Sequence, residues 1–96
     1  MLRFNTNTLH NQIISSTSPS TFFFAGRNFG DILTIEDSGV SCSCTTVSFP
    51  RIVEKDEAFN VIVTIDKTNQ FGVVDESAWI KVGGITHNFI IKGKII

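Results

Sequence analysis

The sequence predicts an all-β chain folded as a two-sheet antiparallel sandwich of about seven strands. Three observations predict it. Apolar residues recur with a period of two, most clearly in Phe59, Val61, Val63 and Ile65 against Asn60, Ile62, Thr64 and Asp66, the pattern of a strand with one buried face. Nowhere does an apolar period of about 3.6 residues run long enough for a helix. Turn signals such as Asn28-Phe29-Gly30-Asp31 and Gly83-Gly84 separate the segments at short intervals, a spacing that suits short strands stacked in two layers.

Composition bounds the classes of function. With 96 residues the chain is expected to be one domain, 1–96, large enough for a single core. Hydrophobic residues at 42% and charged residues at 18% mark it as globular. The 8 Lys+Arg against 9 Asp+Glu give no nucleic-acid-binding surface. No run approaches the roughly 20 apolar residues of a membrane span. Met1-Leu2-Arg3-Phe4-Asn5 lacks the apolar stretch of a secretory signal, so the chain reads either as cytoplasmic or as a domain of a longer precursor.

The elements follow in order. Residues 1–20 are a polar N-terminal segment anchored by Leu9 and Ile13-Ile14, with an edge strand over Leu9 to Ser16, and residues 21–96 are the sandwich body. Ser18-Pro19-Ser20 breaks the chain, because Pro fixes its φ and restricts its predecessor. Thr21 to Arg27 is a strand with Phe22 and Phe24 on one face and Phe23 and Ala25 on the other. Asn28 to Asp31 is a turn in which Asn and Gly accept positive φ. Ile32 to Glu36 is the next strand, with Leu33 and Ile35 inward, and Asp37-Ser38-Gly39 interrupts it. Val47 to Ile52 pairs briefly, held to an edge by Pro50. Glu54-Lys55-Asp56-Glu57 is a charged turn before the alternating strand, and Lys67 to Gly72 is a polar loop after it. Val73 to Val82 places Ala78, Ile80 and Val82 on one face, and Gly83-Gly84 forms a tight hairpin. Ile85 to Ile96 closes the chain with Phe89, Ile91 and Ile95 on one face, and is expected to pair within the domain rather than with another chain.

Cys42-Ser43-Cys44 is the one chemically suggestive run. On a regular strand the two side chains would share a face roughly 6.6 Å apart, too far for a disulfide, whose Cβ atoms lie roughly 3.8 Å apart. A shared tetrahedral zinc wants the sulfurs roughly 4 Å apart. Either chemistry therefore requires a bulge or turn at Ser43. Three readings fit the residues. The cysteines are small buried hydrophobes; or they are a disulfide or redox pair, although no neighbouring cation or helix N-terminus is visible to lower a thiol pKa; or they bind a soft metal, as a two-thiolate Cu(I) site or as half of a zinc site completed by His10, His87 or a second molecule.

The remaining candidates are fewer. Trp79 alternates opposite to Ala78 and Ile80, so it either faces outward, where an exposed Trp would be an interaction anchor, or packs partly covered in the second layer. Asp56-Glu57 and Asp75-Glu76 are adjacent carboxylates that point to opposite faces, poor acid–base partners expected to be solvated. No Ser-His-Asp arrangement or Gly-rich phosphate loop can be assembled. No catalytic residue and no cofactor is assigned.

Several runs also carry a resemblance in their shared order: Phe22-Phe23-Phe24, Asn28-Phe29-Gly30-Asp31, Ile32 to Ile35, Ser41-Cys42-Ser43-Cys44-Thr45, Val61 to Asp66, Gly72 before Ala78 to Val82, and the closing Phe89-Ile90-Ile91-Lys92-Gly93-Lys94-Ile95. Over about residues 20 to 96 the chain resembles the bacterial DUF1573 domains, a group similar in fold to the immunoglobulin-like ASPM-SPD-Hydin modules. It departs from that group in carrying Ser43 where Gly is usual between the cysteines, Glu54-Lys55-Asp56 where a Pro-Gly turn is usual, and Gly26 where a larger apolar residue is typical. The resemblance implies an immunoglobulin-like sandwich and a periplasmic or cell-surface setting. The expected function is a non-enzymatic structural or interaction module, monomeric and with a protein partner. The alternative is a small metal-binding or redox protein acting through Cys42 and Cys44.

Overall fold

A computed structural model describes residues 1–96 as ten strands and no helix. In chain order they are β1 (Leu2–Phe4), β2 (Thr8–Ile14), β3 (Ser20–Asn28), β4 (Leu33–Thr34), β5 (Asp37–Val40), β6 (Thr45–Ser48), β7 (Ile52–Val53), β8 (Ala58–Ile65), β9 (Gly72–Val82) and β10 (Ile85–Ile95). One sheet has the order β1-β3-β8-β6 and the other β2-β10-β9-β5, while β4 and β7 make a two-stranded ribbon. All pairings are antiparallel except that of β10 with β2. Because β1 and β2 belong to one N-terminal run that changes sheets between Phe4 and Thr8, the sandwich has seven strand-length units, as expected. Lettered A to G with the ribbon set aside, the sheets read A-B-E-D and A-G-F-C, the constant-type immunoglobulin arrangement with the first strand shared.

The core lies where the alternation places it. Phe59, Val61, Val63 and Ile65 of β8 are buried, as are Val74, Ala78 and Ile80 of β9, Phe89 and Ile91 of β10, Phe24 of β3 and Ile14 of β2. The Phe89 ring meets Phe4 edge-on at 4.8 Å and Phe24 at 4.9 Å, and Phe4 also meets Phe59 at 5.7 Å. These contacts seat β1, whose three residues carry little strand signal of their own.

The closing strand pairs inside the domain. β10 has β9 on one side and β2 on the other, and Gly83 and Gly84, with φ of 57° and 77°, make the hairpin before it. On the β2 side the register advances two residues from Ile91 to Gly93 but three from Leu9 to Gln12. The extra residue bulges at Asn11, whose φ is 55°. Gly93 is what allows this approach, since a Cβ there would run into the Gln12 carbonyl oxygen.

Several expectations need correction. The first edge strand begins at Thr8 and ends at Ile14, and the first fourteen residues supply an edge strand to each sheet. Only Leu33 and Thr34 of the Ile32–Glu36 segment are strand, although Ile35 is buried as expected. Asp37-Ser38-Gly39 does not interrupt a strand; it is most of β5, paired with β9. The reason is Trp79, which stands opposite Gly39 and covers the place of the missing side chain. Asn28 and Gly30 adopt no positive φ. Asn28 is instead a fully buried polar residue whose amide donates to the carbonyls of Asp31 (2.8 Å), Val53 and Glu54 (both 3.2 Å), while its Oδ1 accepts the Gly30 N–H at 2.9 Å.

Candidate functional site

The cysteine run lies where the chain leaves β5 in one sheet for β6 in the other. The Thr45 N–H reaches the Cys42 carbonyl at 3.0 Å and closes a turn over Ser43 and Cys44, the irregularity that either thiol chemistry demanded. Ser43 has no positive φ, so the usual Gly is not needed here. The turn brings the Cα atoms of Cys42 and Cys44 to 5.1 Å, and their sulfurs are joined in a disulfide. The Cys44 N–H points at Cys42 Sγ, 3.1 Å away. On its other side Cys44 is fixed by the Asp66 N–H, which donates to its carbonyl at 2.8 Å.

A third residue joins this pair. Val74, Ala78 and Ile80 of β9 are buried, and Glu76, in step with them, also turns inward, its side chain only 13% exposed. Strand β5 ends at Val40 opposite Ala78, so Glu76 occupies the opening that the cysteine turn spans. Its Oε2 lies 2.8 Å from Lys67 Nζ and 3.4 Å from Cys44 Sγ. Its Oε1 accepts the Ser41 hydroxyl at 3.0 Å, and the Ser41 Oγ accepts the Ser77 N–H at 2.9 Å. Glu76 is therefore not solvated as expected. It is an ion-paired carboxylate beside sulfur, with the donor atoms of Cys42, Cys44 and Glu76 all within 4.8 Å of one another. In the bridged state neither sulfur is a thiolate, so the metal reading concerns only the reduced pair. The sequence did hold a signal for Glu76: a charge in the inward series of Val74, Ala78 and Ile80.

The other candidates stand apart. His10 sits at the β2 bulge. Trp79 is half-buried across Gly39 rather than a free anchor, and a Cβ on Gly39 would come within 2.5 Å of its indole. Gly39→Ala is accordingly expected to push the indole outward, shift the single-Trp emission to longer wavelength and lower stability by about 1–3 kcal/mol; unchanged emission would show that Trp79 does not cover β5. His87 packs against Phe4 at 5.7 Å, and burial holds its imidazole below the ordinary histidine pKa. The unfolded chain therefore binds the proton more readily, so stability present above the unfolded value of about 6.5 falls as pH drops through it. A His87→Gln variant should lose this part of the pH dependence, which melting temperatures at pH 7.5 and 5.5 would read. An equal slope in the variant would assign it elsewhere.

On the outer face of the β2-β10-β9 sheet, Ile13, Lys94 and Val73 are neighbours across three strands. Ile13 is 61% exposed and Val73 87%, and Phe71, two residues before Val73, is 88% exposed. Sequence alternation marked Val73 as the start of a strand but gave no sign that this corner is uncovered.

No family model matches the chain, and no curated protein matches it in sequence. Solved structures do. A family 123 glycoside hydrolase from Clostridium perfringens is similar over 96% of this chain with a TM-score of 0.76 and 9% identity, and the chain spans 23% of that protein. The ASH/PapD-like domain 7 of human CEP192 is similar over 99% of this chain and 84% of its own length, with a TM-score of 0.70 and 11% identity. Titin domain M7 matches over 99% of this chain and 93% of its own, with a TM-score of 0.50 and 15% identity. The fold is immunoglobulin-like. At such identities the likeness speaks for the fold alone, and the hydrolase shares it over less than a quarter of its length.

Proposed function

We propose that this chain is a non-enzymatic immunoglobulin-like interaction module of a bacterial cell-envelope protein, working as a monomer and binding a protein partner. The observation that carries this reading is the exposure of Ile13 and Val73 on either side of Lys94 on one sheet face, with Phe71 exposed two residues before Val73, since large apolar side chains left open together mark contact surfaces. The likeness in size and fold to the ASH/PapD-like domain supports a domain-sized module. Three of the four lateral edges are short, with β1 of three residues and β5 and β6 of four, and the fourth, β2, is bulged. Such edges discourage pairing between copies. The Cys42–Cys44 bridge suits an oxidising compartment, and the order of motifs shared with DUF1573 domains supports the envelope setting.

Site-specific photo-crosslinking in a bacterial cell tests it. A photoreactive side chain at Phe71 or at Val73 is expected to trap one and the same envelope protein. The same group at Phe23, exposed on the opposite sheet, should not trap it. Val73→Asp should abolish the crosslink formed from position 71. Equal trapping from Phe23, or trapping only of a second copy, would overturn the reading.

A further inference from the structure

We infer that Cys42 and Cys44 form a reversible thiol–disulfide exchange site in which Cys42 is the nucleophile and Glu76 takes and returns the proton of Cys44. A bridge across a single residue closes a very short loop, so it restrains the unfolded chain least and contributes least as a staple. The turn has its own supports in the bond from Thr45 to the Cys42 carbonyl and from Asp66 to the Cys44 carbonyl. Neither depends on the sulfur–sulfur bond. Reduction therefore leaves the two sulfurs facing each other rather than releasing them.

The surroundings of the two sulfurs differ. Cys42 Sγ receives the Cys44 N–H at 3.1 Å, a donor that favours a thiolate there. Cys44 Sγ lies 3.4 Å from the Glu76 carboxylate and 3.4 Å from the Thr45 hydroxyl, and the negative neighbour keeps it a protonated thiol. The charged groups around Cys44 are Glu76 and its partner Lys67; the Asp66 carboxylate is engaged by Thr68. Both cysteines are half-buried while Ser41 and Ser43 beside them are exposed, so a disulfide can reach the turn.

The chemistry balances with a low-molecular-weight or protein disulfide as the oxidant. The Cys42 thiolate attacks one sulfur of that disulfide, forms a mixed disulfide and releases one thiolate. Glu76 then takes the proton of Cys44, whose sulfur attacks Cys42 Sγ, closes the internal bridge and expels the second thiolate, which receives the proton. One disulfide becomes one thiolate and one thiol, and the two electrons come from Cys42 and Cys44. With an external dithiol as the reductant every step runs backwards.

The test uses the reduced full chain, oxidised glutathione as the probe, and acid quenching, alkylation and intact mass as the readout. Cys44→Ser should accumulate a single glutathione adduct on Cys42 at least about tenfold faster than Cys42→Ser accumulates one on Cys44. The native chain should pass through that adduct to the bridged form. Glu76→Gln should leave the adduct step within about twofold but slow closure about tenfold or more near pH 7, with the gap narrowing at alkaline pH, where the thiol ionises unaided. That pH profile separates a proton-transfer role from a merely structural one, and the emission of Trp79 reports whether the variant folds. Equal adduct rates in the two Ser variants would overturn the assignment of Cys42 whatever Glu76→Gln does. Closure in a folded Glu76→Gln chain at the native rate across the pH range would overturn the role of Glu76.

Discussion

Phe89→Ala is expected to lower the unfolding free energy by about 3–5 kcal/mol, the range for emptying a large aromatic site in a core. The ring is 1% exposed and meets Phe4 at 4.8 Å and Phe24 at 4.9 Å, contacts that join β10 to β1 and β3 across the two sheets. Backbone pairing on both flanks of β10 keeps the strand from closing in on the void. For a domain of this size such a loss is a fall in Tm of roughly 15 to 30 °C. Phe23→Ala is the control. That ring is 59% exposed on the outer face of the other sheet, and its removal should cost under about 1 kcal/mol. Urea unfolding of both variants decides the matter, and equal losses would mean that the Phe4–Phe24–Phe89 cluster does not hold the sheets together.

What the sequence could and could not show follows from the range of the forces involved. Strand β8 was legible because its alternation is local: Phe59, Val61, Val63 and Ile65 are all inward. The Gly83-Gly84 hairpin was legible for the same reason. Strand β2 takes its place from a parallel pairing with β10, about as far along the chain as a partner can lie, and of its three apolar anchors only Ile14 is fully buried while Ile13 faces out. Asp37-Ser38-Gly39 reads locally as a turn, and it becomes a strand because an indole forty residues later fills the space above Gly39. The same division holds at the site. Backbone geometry alone demanded an irregularity at Ser43 if the cysteines had any joint chemistry, and a turn is there. Glu76 was legible only as a misfit in an apolar series, since its partners Lys67, Ser41 and Cys44 come from the loop before β9 and from the β5–β6 crossover.

Asn28 gives the second large effect and one that a pH series can dissect. Its amide nitrogen donates to three carbonyls, those of Asp31, Val53 and Glu54, and ties the end of β3 to the β7 ribbon strand and the charged turn. Asn28→Ala leaves these oxygens facing a void in a fully buried place, at a cost of about 2–4 kcal/mol. Asn28→Asp keeps the size and the acceptor for the Gly30 N–H, yet it sets an oxygen against three others. At neutral pH it should therefore be the more damaging variant. The Met1 ammonium, 3.5 Å from Oδ1, favours a carboxylate, but complete burial and the three carbonyl oxygens oppose it, so the folded state is expected to hold the proton more tightly than the unfolded chain, whose value is about 3.9. The folded chain then binds more protons above that value, and stability declines as pH rises from it. Denaturant unfolding of the Asp variant should accordingly show its deficit against the native chain shrinking between pH 7.5 and pH 4.5, because a protonated carboxyl can donate to one of the three oxygens. A deficit constant over that interval would mean that the Met1 ammonium or water holds the carboxylate and that the three carbonyls do not set its protonation.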